Sequence, residues 1–189
     1  MMTDEELRPV FERALDDAGA WVLQAAEADL TVGTPCADWD LAALIGHMVG
    51  QNEGFAEAVS AGDAPASAYA APALGRDEIA PRWRASAKRL RGAFRAAPAG
   101  AAVRLAELDV EVPLAIALAM QLVDNAVHAW DVATALGEEY RPDGEVVGVV
   151  HASAQVVAGN AEGTPGVFAA PRPTTGTDDW SDALRLLGR

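Results

Sequence analysis

Residues 113–137 read PLAIALAMQLVDNAVHAWDVATALG, the most apolar run in the chain, and this run decides what kind of fold the chain builds. A proline opens it and a glycine closes it. That asymmetry belongs to a helix, because proline's fixed φ suits the first turn and glycine adopts the left-handed conformation that ends the last. The pattern predicts a helix from Pro113 to about Leu136. Asp124, His128 and Asp131 are set into this rod at i, i+4 and i+7, which places them along one face. An acid and an imidazole one turn apart can hold the same ion without distorting the backbone; the plainer alternative is a local hydrogen bond.

The neighbouring segments read as helices too. Leu7, Val10, Phe11, Leu15, Ala18, Val22 and Ala25 recur at spacings of three and four, predicting a helix over 3–28 that opens on Thr3 as cap with acids in the first turn. Gly33 and Pro35 break the chain, Asp38 is placed to cap the next helix, and that second helix is expected over 39–59. The linker SAGDAPASAYAAPALG (60–75) is long and rich in small residues, and is expected to cross one end of a bundle. A third helix spans 76–96. Pro81 requires it either to start near Ile79 or to kink. Val103, Leu105, Val110 and Val112 suggest a short hairpin or edge strand. A fifth helix is expected over 143–158, then an irregular tail and a closing helix from Asp178 with Trp180, Leu184 and Leu187. The fold class is all-α: one domain, with a bundle over 3–158 and a tail over 159–189.

Composition agrees. Hydrophobic residues, mainly alanine and valine, make up 51% and aromatics only 6%, so the core is built of small side chains packed closely, which suits helix on helix. A net charge of −14 argues against a nucleic-acid partner and against an anionic membrane. The basic cluster RWRASAKRLRGAFR (82–95) reads as a solvated face opposite buried Trp83, Ala87, Leu90 and Phe94, the alternative being an anion-binding patch. Cys36 is the single cysteine, so no internal disulfide forms and a reducing cytoplasm fits. The first residues are acidic and polar, and no apolar run approaches the roughly 18 residues of a membrane span. A soluble, cytoplasmic protein is expected.

His47 lies in DLAALIGHMVGQNEGF (40–55), ringed by Ala43, Gly46, Gly50, Gln51 and Gly54. A glycine inside a helix costs about 1 kcal/mol relative to alanine, so three of them near one imidazole suggest room kept for a ligand or a close packing partner. If His47 and His128 converge, then with Asp124 they supply three ligands and an open fourth position, the pattern of a reactive divalent-metal site. If they do not, both are histidines of a packed core. Trp130 reads as a packing residue. Asp131 either accepts from a ligand histidine or bonds backbone. Cys36, with no histidine near it in sequence, reads as structural, and His151 as a surface or packing residue without ligand spacing.

Two stretches carry a resemblance. TPCADWDLAALIGHMVGQNEGFA (34–56) resembles the signature of the DinB-like, mycothiol-dependent maleylpyruvate isomerase superfamily, in which T-P-C-x-x-W leads into a helix with L-x-x-H. VDNAVHAWDVATALG (123–137) is similar to its second motif, an acid, three residues, then His-x-Trp-Asp. The ending FAAPRPTTGTDDWSDALRLLGR resembles actinobacterial members. The resemblance implies a DinB-like four-helix bundle with a long crossover, and a divalent metal held by His47, Asp124 and His128. The isomerase uses a glutamate where this chain has Asp124, and it has a further C-terminal domain for which this chain is too short.

The function expected on these grounds is a metal-dependent enzyme in which a divalent ion, zinc first and nickel or another transition metal next, activates a low-molecular-weight thiol for attack on a small-molecule substrate. Two other readings stay open: a metal-binding protein without turnover, and a helical ligand-binding or dimerisation bundle. A homodimer is compatible with each.

Overall fold

The computed structural model describes residues 2–36, 39–106, 108–159 and 169–189. Two compact units divide the chain, 1–140 and 141–189.

The first unit is built on four long helices: α1 (Asp4–Ala25), α2 (Leu41–Ala61), α3 (Arg76–Ala96) and α4 (Leu114–Ala135). Thr3 caps α1 and exchanges hydrogen bonds with Glu6 in a full capping box, so two of the four unpaired first-turn N–H groups are satisfied locally. All seven periodic residues expected to face inward on α1 are buried. Asp40 caps α2 by accepting from the Ala43 N–H. The expected cap, Asp38, lies outside the described residues. Helix α3 starts at Arg76, earlier than Ile79, so Pro81 is its sixth residue and forgoes one backbone bond without ending the helix. Pro113 sits one position before the first helical residue of α4, and Gly137 beyond its end has φ +77°.

Helices α1 and α2 are consecutive in sequence, yet each packs against α3 and α4. Arg76 at the start of α3 donates to the carbonyls of Ala26 and Ala28 just past the end of α1, over 2.5 and 2.7 Å. Arg8 near the start of α1 donates to Ala97 O at the end of α3. These bonds make α1 and α3 antiparallel, with Phe11 and Phe94 edge to face between them at 5.1 Å. The basic residues of α3 lie on the exposed face expected of them, opposite buried Trp83, Leu90 and Phe94, and three of them pair with neighbouring helices: Arg95 with Glu12 at 2.6 Å, Arg91 with Asp16, and Arg82 with Glu53 at 3.3 Å. Between α3 and α4, β1 (Ala102–Leu105) and β2 (Val110–Pro113) form the expected antiparallel hairpin, with Val103 opposite Val112 and Leu105 opposite Val110.

The α2–α3 linker departs from expectation. It does not cross the end of the bundle but returns along α2, after a short 3₁₀ turn (Ala66–Tyr69). A Cβ at Gly46 would lie 2.6 Å from Pro72 O and one at Gly50 2.6 Å from Tyr69 O, and at Gly54 it would enter the Tyr69 ring. The glycine stripe beside His47 is therefore the bed of the chain's own crossover. This return lets α2 and α3 run parallel.

The second unit holds α5 (Gly144–Val157), capped by Asp143, and α6 (Asp179–Leu186), capped by Asp178. Trp180, Leu184 and Leu187 are buried, as their spacing requires. Arg141 pairs with Asp178 at 2.7 Å, and this bond, with those from Ser181, holds the Asp178 carboxyl well below the usual carboxylate range. His151 lies 3.5 Å from Asp179 within the same unit.

Candidate metal centre

His47 stands two turns into α2, and Asp124 and His128 stand one turn apart on α4. The packing of α2 against α4 brings the three together. The Nε2 of His47 lies 3.6 Å from Asp124 Oδ1, and the Nε2 of His128 lies 3.4 Å from the same oxygen. Both are long for a direct N–H to O hydrogen bond. Two ligand atoms held about 2.0–2.2 Å from a tetrahedral ion would stand about 3.3–3.6 Å apart. The two imidazoles are edge to face, with centroids 5.1 Å apart, and all three ligand atoms lie within 4.8 Å of one another. The donor set and its spacing fit a divalent transition metal.

Asp131 completes the α4 stripe. Fully buried, it accepts the Nδ1–H of His128 at 2.9 Å, which orients the ring and, in its neutral form, fixes the tautomer that turns the Nε2 lone pair toward Asp124. Of the two roles open to Asp131 in sequence, the structure displays the side-chain one. The cluster is closed on the Asp131 side and open on the other: the His128 side chain keeps 10% of its surface, His47 23% and Asp124 22%.

Electrostatics couple these groups. Burial opposes the charged form of Asp124, but the His128 charge and the approach of the His128 and His47 nitrogens to its carboxylate outweigh it and hold the carboxyl well below the usual range. Burial likewise disfavours a charged His128, yet the Asp124 charge, the acceptor oxygens of Asp124 and Asp131 beside its ring nitrogens, and the Cys36 sulfur raise its pKa well above the ordinary imidazole value. Without metal, Asp124 and His128 thus form an ion pair.

Two residues that sequence reading did not place in the site belong to its wall. Trp39 stacks tilted over His47 with centroids 4.6 Å apart and lies 6.2 Å from His128. Cys36, read as structural because no histidine is near in sequence, comes within 3.9 Å of His128 Nδ1 and donates to Asp131 Oδ2 at 3.2 Å. Sequence distance was the wrong criterion, because the α1–α2 loop folds back onto α4. The available signal was the T-P-C-x-x-W pattern, which carries both residues. A cleft of about 400 Å³ opens beside this loop, lined by Gly33, Thr34, Trp39, Asp40 and Ala43, so Trp39 stands between it and the imidazoles. Trp130 is half-buried and joins none of these contacts, and His151 is not part of the His47, Asp124, His128 set.

Four helices in this connectivity, with a His/Asp/His cluster between the second and fourth, define a DinB-like helical protein. The chain belongs to the mycothiol maleylpyruvate isomerase N-terminal domain family, whose pattern matches residues 11–133 and so spans every residue of the cluster. Two uncharacterised proteins from strains of Mycobacterium tuberculosis are each 32% identical over 176 residues, covering 92% of this chain and 92% of their own length. Among solved structures, a histidine-to-alanine mutant of the mycothiol-dependent maleylpyruvate isomerase is similar with a TM-score of 0.67. The match covers 85% of this chain and 75% of that one, and at 16% identity it shows the shared fold. No helix among the described residues is long and apolar enough to cross a membrane.

Proposed function

We propose that this protein is a metal-dependent enzyme of the thiol-handling type, a transferase or isomerase using a low-molecular-weight thiol in a reducing cytoplasm. The observation that carries the reading is the convergence of His47 Nε2, Asp124 Oδ1 and His128 Nε2 from two separate helices, at spacings that fit one ion. Zinc is the first choice for two imidazoles and a carboxylate, with nickel or another transition metal next. When bound, such an ion supplies Lewis acidity, lowering the pKa of a small thiol so that its thiolate is available at neutral pH.

The residues of the chain do the rest. Two neutral imidazoles and one carboxylate leave a divalent site with one net positive charge, which a thiolate neutralises. This local charge is what allows an anion to bind a protein whose net charge is −14. Asp131 holds His128 in the tautomer that offers Nε2. Trp39 covers His47 and excludes water on that side, while the exposed edges of His47 and Asp124 leave an approach for substrate. Membership in a family named for a mycothiol-dependent isomerase supports a thiol as the partner.

The test is elemental analysis of protein purified without a metal-binding tag, followed by thiol-conjugation assays on metal-loaded and stripped protein. Stoichiometric metal and a rate that follows occupancy support the reading. Metal with equal rates in both forms reduces it to a metal-binding protein without turnover.

A further inference from the structure

The α1–α2 loop is pinned by its own backbone. Leu41 N–H donates to Val32 O at 2.9 Å, Ala42 N–H to Leu30 O at 3.0 Å, and Thr34 N–H to Trp39 O at 3.1 Å. The Thr34 hydroxyl is shared between Trp39 O at 3.0 Å and Cys36 O at 3.2 Å. This loop delivers two side chains to the metal-ligand cluster: Trp39 against the ring of His47, and Cys36 behind the Nδ1 edge of His128. A cysteine used only as a small apolar filler is usually deeply buried. Cys36 is only partly buried, yet its S–H is directed at a carboxylate with no exposed surface. The oxygen it reaches, Asp131 Oδ2, is the same one that takes the Nδ1–H of His128.

We propose that Cys36 is a positioning residue for the metal centre: by donating its S–H to Asp131 it fixes the carboxylate that sets the ring plane and tautomer of His128. The inference rests on the reading of His47, Asp124 and His128 as ligands. Its physical basis is geometric. A carboxylate oxygen with two donors on it has little freedom to rotate, and the imidazole hydrogen-bonded to that oxygen inherits the restraint. The thiol is a weak donor, so its effect is smaller than that of Asp131 itself. A serine hydroxyl preserves a donor at nearly the same place, and an alanine removes it.

The experiment compares wild type, Cys36→Ser and Cys36→Ala, each also in an Asp131→Ala background. Two readouts are taken. The first is the ¹⁵N shifts of the His128 ring in metal-free protein, at a pH where the ring is neutral. The second is cobalt(II) affinity with its visible absorption spectrum. We expect wild type and Cys36→Ser to hold the Nδ1–H tautomer and bind cobalt alike. Cys36→Ala should show mixed tautomers and about tenfold weaker cobalt binding, at the lower end of the roughly 10–100-fold cost of losing a partner of a ligand. In the Asp131→Ala background the Cys36 alanine should add less than about twofold, because its route is gone. The proposal is overturned if alanine matches wild type in both readouts, if serine does no better than alanine, or if the alanine effect is undiminished without Asp131. A sulfur-to-cobalt charge-transfer band that vanishes in Cys36→Ser also overturns it, by making Cys36 a ligand itself. Should wild type take up no cobalt, the metal-centre reading fails, and the tautomer readout alone decides whether Cys36 acts through Asp131.

Discussion

His128 donates its Nδ1–H to Asp131 over 2.9 Å, so one buried carboxylate determines which nitrogen of the ring is offered to the open side of the cluster. Replacing Asp131 by asparagine leaves an oxygen that can accept but removes the charge that favours a strongly polarised N–H. Metal affinity should fall about 10–100-fold, with the far-ultraviolet circular dichroism unchanged. Titration against a chelator of known affinity checks this, and an affinity equal to wild type would show that Asp131 is only a core acceptor.

Stability should report the same centre. An ion that binds only the folded state at a hundredfold excess over its dissociation constant adds about 2.7 kcal/mol, which for a chain of this size raises Tm by about 5–10 °C. His128→Ala should abolish the metal-dependent part and leave the metal-free fold standing, because Leu44, Ile45, Met48, Leu118 and Leu122 form a core that does not need the imidazole. Melting curves with zinc, nickel, cobalt and manganese settle it; no shift with any of them would remove the site.

Much of the architecture is legible in the sequence, because helix caps and three-four spacings are local. Thr3, Asp143 and Asp178 cap the helices they precede, and the stripe Asp124, His128, Asp131 comes from periodicity alone. What was not legible depends on the return of chain onto chain. Gly46, Gly50 and Gly54 are consistent with a ligand cavity until the crossover is seen lying on them. Cys36 reads as structural, and its place beside His128 shows only when the α1–α2 loop is seen to reach α4, 95 residues on. Both cases turn on loops, whose course leaves no periodic trace.

The crossover gives a sharp comparison between two glycines. A Cβ at Gly50 would meet the backbone oxygens of Tyr69 and Ala70 at 2.6 and 2.8 Å, whereas one at Gly92, in the exposed part of α3, meets nothing within 4 Å. Alanine gains up to about 1 kcal/mol of helix propensity at either position. Overpacking typically costs about 1–3 kcal/mol and outweighs that gain only at Gly50. Gly92→Ala should therefore stabilise and Gly50→Ala destabilise, by about 1 kcal/mol each, as measured by urea denaturation.

The two protonation shifts at the site fix a pH dependence. The pKa of His128 is raised in the folded, metal-free protein, so the stability its ion pair contributes is fully present below the unfolded imidazole value near 6.5 and is lost as pH rises through the raised value. Asp124 is shifted down, so its contribution is present above the ordinary carboxylate range and stays constant across this window. A metal must displace the His128 proton, so its affinity rises with pH over the same range. The Tm increase produced by zinc should thus grow between pH 6 and pH 8.5, with proton release on binding that shrinks as the pH goes up. An increase in Tm that is flat with pH would mean that His128 is not a ligand.

Asp124 stands where the motif resemblance leads one to expect a glutamate, and it provides the most specific test. Its Oδ1 is the atom both imidazoles approach, at 3.4 and 3.6 Å, and its charge is the only negative one within the set His47, Asp124, His128. Asp124→Asn keeps the shape and removes the charge. The site then carries two positive charges with an ion bound, and affinity should drop by at least tenfold, with any thiol-transfer rate falling in proportion to occupancy. Asp124→Glu keeps the charge and adds one methylene. The side chain is about a fifth exposed, so the extra carbon has room on the open side, and metal should be retained with an altered order of preference among zinc, nickel and cobalt. Metal content and thiol-conjugation rate, measured for both variants and wild type on the same preparations, separate the contributions. If asparagine binds metal as well as aspartate does, the carboxylate is not a ligand and the two histidines must find their third partner elsewhere.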